Sequence, residues 1–205
     1  GNHCRLVSAD HPTVYDLAQA AIGAGRDLGA EVESCLTDES LDYDAVYGGD
    51  TEWSLLPAFD HPQEPARCLV SGTGLTHKAS VDNRQAMHES DDDQDEEEEI
   101  TDSMRIYQWG LEGGKPDDGE VGVPPEWFYK GCGTIVQAHG EPLDVPAFAG
   151  DGGEEPELAG VYIVDPKGQP RRVGFTNGNE FSDHITEKKN YLYLAPSKLR
   201  QCSLG

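Results

Sequence analysis

The sequence predicts an α+β fold, mainly β, with a small N-terminal α/β lobe, and three observations carry that expectation. The apolar run 158–164 leads into the turn Asp165-Pro166-Lys167-Gly168 and then a second strand-like run at 172–175 or a little beyond, a hairpin pattern. Residues 67–70 read as a strand entering the glycine-rich segment 71–77, and 134–139 is also strand-like. Helical spacing is found at 13–28, at 103–111 and in the segment after Glu180.

In chain order, Pro12 suits the first turn of an amphipathic helix over 13–28. The glycines from Gly23 to Gly29 read as a helix end and loop, because no strand precedes them as a dinucleotide loop requires. Residues 40–67 are polar and proline-bearing, so short strands and loops should complete a lobe over 1–66, with a second domain over 67–205. The strand and glycine turn at 67–77 resemble a phosphate cradle only weakly, since the third glycine of the dinucleotide fingerprint is missing. Residues 89–99 hold nine acids, and such a like-charge run is expected as a solvated loop. Thr101 or Asp102 should cap the following helix, and Gly113-Gly114 should stop it. Phe128 is expected in the core. Pro156 cannot donate to a ladder, so it belongs at a strand start or edge. Asn177-Gly178 reads as local turn chemistry.

Composition narrows the function classes. There are 15 Lys and Arg against 39 Asp and Glu, a net charge of −24. The acidity extends well beyond the 89–99 run, as in a protein adapted to molar salt, where counter-ions screen the self-repulsion. Such a surface repels phosphate backbones and anionic lipid, so neither nucleic acid nor a membrane is an expected partner. No apolar run approaches the ~18 residues of a spanning helix. The five cysteines, Cys4, Cys35, Cys68, Cys132 and Cys202, are odd in number, widely spaced and without a C-x-x-C pair, which fits a reducing cytoplasm rather than a disulfide framework or zinc site.

The stretch 152–200 carries the chemistry. Glu155 and Glu157 stand two apart before an apolar run, and on a strand such residues face the same way, about 7 Å apart. The hairpin brings Glu180 back toward them. Three carboxylates from adjacent strands suit a hard cation, Mg²⁺ with Mn²⁺ as the alternative, with positions left for substrate and water.

These residues also resemble a known signature. Glu155-Pro156-Glu157-Leu158, Gly174-Phe175-Thr176, Asn179-Glu180-Phe181-Ser182-Asp183 and Ser197-Lys198 are similar to the metal-site segments of the fumarylacetoacetate hydrolase superfamily, and Pro125-Glu126-Trp127-Phe128-Tyr129-Lys130 to its P-x-x-F-x-K segment. The closest resemblance within it is to 2-keto-3-deoxypentonate dehydratases of the haloarchaeal type, through these segments, the run Tyr191 to Leu194 and Gly72-Thr73-Gly74-Leu75-Thr76-His77. It covers about two thirds of the chain, roughly residues 68–205. The resemblance implies a fumarylacetoacetate hydrolase-like mixed β-sheet fold, incomplete at the C-terminus, and a fragment at both ends. It implies Glu155, Glu157 and Glu180 as metal ligands, Glu126 as general acid or base, Lys198 as a second catalytic group, and Lys130, Ser182 and His77 on the substrate side. Most superfamily members have Asp where Glu180 stands, so its backbone should sit farther back or its ligation differ. The implied partner is a small 2-keto sugar acid, and the implied assembly a homo-oligomer.

The implied reaction is dehydration of a 2-keto-3-deoxypentonate to 2-oxoglutarate semialdehyde. Two other classes compete. A C–C hydrolase of a 2,4-diketo acid would use the same metal site with a His-activated water. A non-catalytic acidic cation-binding protein would leave Glu126 and Lys198 far from the acids.

Overall fold

The computed structural model describes residues 2–74, 78–89 and 100–205. His77, and all of the acidic run except Glu89, lie outside the described residues.

The N-terminal elements are strand β1 (His3–Val7), helices α1 (Val14–Ala24) and α2 (Leu28–Cys35), strand β2 (Leu36–Asp42) and helix α3 (Tyr43–Gly48). Thr13 caps α1 by accepting the Asp16 N–H, so Pro12 lies outside the helix rather than in its first turn. Gly25 ends α1 at φ 65°, where its N–H reaches the Ala21 and Ile22 carbonyls, a left-handed cap that glycine adopts without steric cost. Asp27 then caps α2 through the Ala30 N–H. The stretch from Gly23 to Gly29 is thus a helix end and loop, as its sequence predicts. Leu17, Ala18 and Ala21 form the buried stripe of α1. Strands β1 and β2 pair antiparallel as a sheet of their own.

A second two-stranded sheet joins β3 (Leu69–Gly74) to β4 (Glu126–Cys132), with α4 (Lys78–Glu89) and α5 (Asp102–Gly113) between them in sequence. Thr101 caps α5 as expected. Strand β4 alternates: Phe128 and Lys130 are buried, while Trp127 and Tyr129 are exposed. The Phe128 ring lies directly over Gly72, its cross-strand partner, in space that a Cβ would fill.

The third sheet is mixed. It contains β5 (Val136–Gln137), β6 (Pro156–Val164), β7 (Pro170–Asn179) and β8 (Cys202–Leu204), in the order β5-β8-β7-β6. Strands β6 and β7 form the predicted hairpin, in register from Pro156 opposite Asn179 to Val164 opposite Pro170. Pro156 opens β6, which is the sheet's edge, so its missing donor costs nothing. One face of β6 is covered, with Ile163 buried, whereas Leu158, Tyr162 and Val164 alternate onto the open face. Helices α6 (His184–Lys189) and α7 (Leu194–Lys198) connect β7 to β8.

Two expectations need correction. Asn177 and Gly178 form no turn: they pair with Leu158 and Glu157 inside β7, because the long ladder overrides a local turn preference. Nor are the described residues mainly β, since helices hold at least as many of them as strands do. No helix among the described residues is long and apolar enough to cross a membrane.

Candidate metal centre

The base of the β6–β7 hairpin brings the acids together. The Glu180 N–H donates to the Glu155 carbonyl at 2.9 Å, and the Glu155 N–H donates to Asn179 Oδ1 at 3.1 Å. Asn179 Oδ1 also accepts the Phe181 N–H at 3.0 Å. Phe181 has φ 50°, an unfavourable backbone for an aromatic residue, so the chain is held in a sharp bend just past Glu180. Beyond the bend, Ser182 and Gly153 exchange two backbone hydrogen bonds of 2.8 Å. Gly153 lies against the His184 imidazole, which a Cβ there would strike. Together these contacts place one oxygen from each of Glu155, Glu157 and Glu180 within 4.8 Å of one another.

Lys198 enters this cluster from α7. It is buried, and its Nζ lies 2.6 and 2.7 Å from the two Glu155 oxygens, 3.4 Å from Glu180 Oε1 and 3.8 Å from Glu187 Oε2. His184 Nε2 is 2.8 Å from Glu155 Oε1. Burial works against ionising Glu155, yet the hydrogen bonds and charge of Lys198, joined by His184, outweigh it and hold this carboxyl below its ordinary value. Burial dominates at Glu180 and pushes its carboxyl up to about 7, with Lys198 opposing and the Glu155 charge assisting. Burial would also lower Lys198, but the surrounding carboxylates win and raise it, so it stays an ammonium. The two acids thus differ in their bonding: Glu155 is doubly hydrogen-bonded to Lys198, whereas Glu180 Oε1 is buried without a hydrogen bond.

That difference bears on which ion fits. The donor set is all oxygen, as Mg²⁺ or Mn²⁺ prefers. One buried oxygen has no hydrogen bond. Octahedral Mg²⁺ holds adjacent oxygens about 3 Å apart, so a small side-chain adjustment would draw the three atoms onto one ion. The residues present therefore fit a hard divalent cation. Glu157 and Glu180 also line an open cavity of about 800 Å³ between β3 and β6, whose wall includes Lys130, Gly72 and Thr73.

The other predicted residues are placed as follows. Lys130 is buried and donates to the Phe181 carbonyl at 3.1 Å and the Lys198 carbonyl at 2.8 Å, tying β4 to both flanks of the cluster. Burial lowers its amine to about 8, with Glu180 opposing. Ser182 is fully buried behind the bend. Glu126 opens β4 opposite Gly74, and its carboxylate lies over that glycine, where a Cβ would collide with it.

Three residues to which the sequence reading assigned no role complete the surroundings. His184 reaches Glu155 directly. Glu187 adds a fourth acid near Lys198. Asp183, almost completely buried, caps α6 by accepting the Thr186 N–H and hydroxyl, and it also accepts the Gly150 N–H. Burial disfavours its charge, but these hydrogen bonds and the Arg200 guanidinium at 3.5 Å hold its carboxyl well below the usual range. The pattern Asp183-x-x-Thr186-Glu187, a cap followed by an acid in the first helical turn, is the sequence signal that marks α6.

No protein-family model and no curated protein matches the sequence. Solved structures do match. A hexagonal crystal form of 2-keto-3-deoxyarabinonate dehydratase superposes with a TM-score of 0.60 at 19% identity, over 99% of this chain and 61% of that one. The chain shares that enzyme's fold. The apo form of 2-keto-3-deoxy-D-arabinonate dehydratase matches with a TM-score of 0.52 at 21% identity, over 83% of this chain and 50% of that one. A third structure, that dehydratase complexed with magnesium and 2,5-dioxopentanoate, gives 0.49 at 21% identity over 83% and 48%. The chain thus spans only about half to three-fifths of the length of these neighbours. The chain therefore has a mixed α/β architecture similar to that of the first of these dehydratase structures.

Proposed function

We propose that this chain carries the metal centre of a divalent-cation-dependent dehydratase. Its substrate would be a 2-keto-3-deoxypentonate and its product 2-oxoglutarate semialdehyde. The observation that supports the reading best is the convergence of Glu155, Glu157 and Glu180 around one point, with the Lys198 ammonium beside them. The fold neighbours being 2-keto-3-deoxyarabinonate dehydratases adds to it.

In this reading Glu155, Glu157 and Glu180 hold Mg²⁺ or Mn²⁺. When bound, the ion would polarise the substrate's keto group and favour loss of the C3 proton. Lys198 is the residue that meets developing negative charge on the keto oxygen. It is held as an ammonium by its carboxylate neighbours and gains most from an oxyanion, which is differential binding of the transition state. Glu126 takes the C3 proton or delivers one to the departing C4 hydroxyl. A proton then moves from C5 to C3, and the resulting C4–C5 enol passes its hydroxyl proton to C4 to become the aldehyde, so the net change is loss of one water. Lys130 keeps β4 and α7 at fixed spacing, and Ser182 and His77 complete the substrate side. A reducing cytoplasm, high salt and a homo-oligomeric assembly belong to the same proposal; all five cysteines are free thiols.

A second reading has one observation in its favour. His184 against Glu155 at 2.8 Å is a His–carboxylate pair of the kind that activates water for C–C hydrolysis. The non-catalytic reading is disfavoured by Lys198, which lies within 2.6 Å of Glu155 instead of far from the acids. The test is incubation with Mg²⁺ in molar salt and a panel of 2-keto-3-deoxy and 2,4-diketo acids, with products identified by NMR. Semialdehyde formation from a deoxypentonate is the expected result. Cleavage of a diketo acid into two fragments would select the hydrolase, and no turnover of any acid would overturn both.

A further inference from the structure

A second cluster lies in the N-terminal lobe, apart from the three hairpin acids. His11 in the β1–α1 loop, Glu31 on α2 and Cys35 at the end of α2 each offer one ligand atom, and these atoms lie within 4.8 Å of one another. We propose that His11, Glu31 and Cys35 form a transition-metal site of the Zn²⁺ class that clamps this loop to α2.

Local structure sets the three side chains. Glu31 and Cys35 are four residues apart on one helix, so they share a face. The loop is held to that face by the Ser8 N–H, which donates to the Cys35 carbonyl at 2.8 Å. A turn within the loop, closed by the His11 N–H on the Ser8 carbonyl at 3.2 Å, then presents His11. The histidine is thus docked on the helix by backbone bonds that need no metal.

The burial of Glu31 is a second observation that points to a cation. This residue is 6% exposed, and a carboxylate so buried needs compensation that the half-exposed Arg26, its ion-pair partner, supplies from one side only. Its Oε2 has no hydrogen bond, and the Arg26 guanidinium stands 3.3 Å away without hydrogen-bond geometry. A cation on the other side of the carboxylate would offset its desolvation, with Arg26 remaining as an outer neighbour of the kind that orients ligating carboxylates.

The donor set selects the ion. One imidazole nitrogen, one thiolate and one carboxylate are borderline-soft, which suits Zn²⁺ or Co²⁺ and not the hard cation expected at the hairpin acids. Three protein ligands leave a fourth tetrahedral position for water. Binding would release the thiol proton and add to the stability of the lobe, because the unfolded chain does not preassemble the site.

Co²⁺ titration of the reduced, chelator-treated protein tests this. The expected result is sulfur-to-cobalt charge-transfer absorption from one equivalent of Co²⁺, whether or not the hairpin acids take a second ion without such a band. That absorption should persist in Glu157→Gln, since the hairpin acids offer no sulfur, and vanish in Cys35→Ser and His11→Gln. A second measurement needs no variant: Zn²⁺ should slow alkylation of Cys35, mapped by peptide mass, by about tenfold or more, because a coordinated thiolate is shielded. No charge-transfer band in the wild type, a band that survives Cys35→Ser, or an alkylation rate at Cys35 indifferent to Zn²⁺ would each overturn the site.

Discussion

The tip of the β6–β7 hairpin carries a buried carboxylate and its base two half-buried ones, and they are used differently. At the tip, Asp165 Oδ1 accepts the N–H groups of Lys167 and Gln169, and Oδ2 accepts Arg171 Nε at 2.9 Å. Every partner lies within six residues. These bonds hold the carboxyl below its ordinary value, led by the Gln169 N–H, and Gly168 at φ 78° closes the turn. At the base, Glu155 finds its donor 43 residues away in Lys198, and Glu180 is pushed up by burial with one oxygen lacking a hydrogen bond. A carboxylate saturated by its own turn is structural. One gathered with others by distant segments, and left short of donors, is poised for a ligand.

The sharpest way to break this contrast is to remove the distant donor. Lys198→Met strips the half-buried acids of their common, buried partner. We expect a loss of about 3–5 kcal/mol in chemical denaturation, the cost of uncovering buried charge. Turnover should fall by about 10²-fold or more, the scale of one electrostatic donor. Near-native stability and rate together would assign Lys198 to neither role.

Asp183 offers a pH-resolved version. Its folded carboxyl is held below the unfolded value near 3.9. The stabilisation is therefore fully present above that value and is lost as pH falls below it. Asp183→Asn should lower the melting midpoint by several degrees at neutral pH, and the gap to wild type should close below about pH 4. A gap that stays constant down to pH 2 would mean that Asp183 acts through shape alone.

The smallest effect belongs to the tip. Asp165→Asn should lower thermal stability slightly and leave Mg²⁺ affinity within about twofold, since distant sites act independently. A large change in Mg²⁺ affinity would join the two ends that the structure separates.

The same distinction explains what the sequence could reveal. Tip chemistry is local, so the turn at Asp165-Pro166-Lys167-Gly168 and the hairpin it closes were legible, as was the return of Glu180 toward Glu155 and Glu157. Pro156 at an edge and Thr101 as a cap were legible for the same reason. Asn177-Gly178 misled because its turn preference is weaker than ten residues of ladder. The pairing of Lys198 with Glu155, the two carbonyls tied by Lys130 and the approach of His184 depend on a bend at Phe181 and on helices α6 and α7, and no spacing rule encodes them.

The central claim is that Glu155, Glu157 and Glu180 hold a single divalent cation. Calorimetric titration of Mg²⁺ in high salt, wild type against Glu157→Gln, tests it most directly. Glu157 is the most exposed of the three, so the substitution should spare the fold. We predict one Mg²⁺ per chain for the wild type and an affinity lower by about tenfold or more in the variant, as the loss of one of three charged ligands demands. Equal affinity in the two proteins would contradict the account.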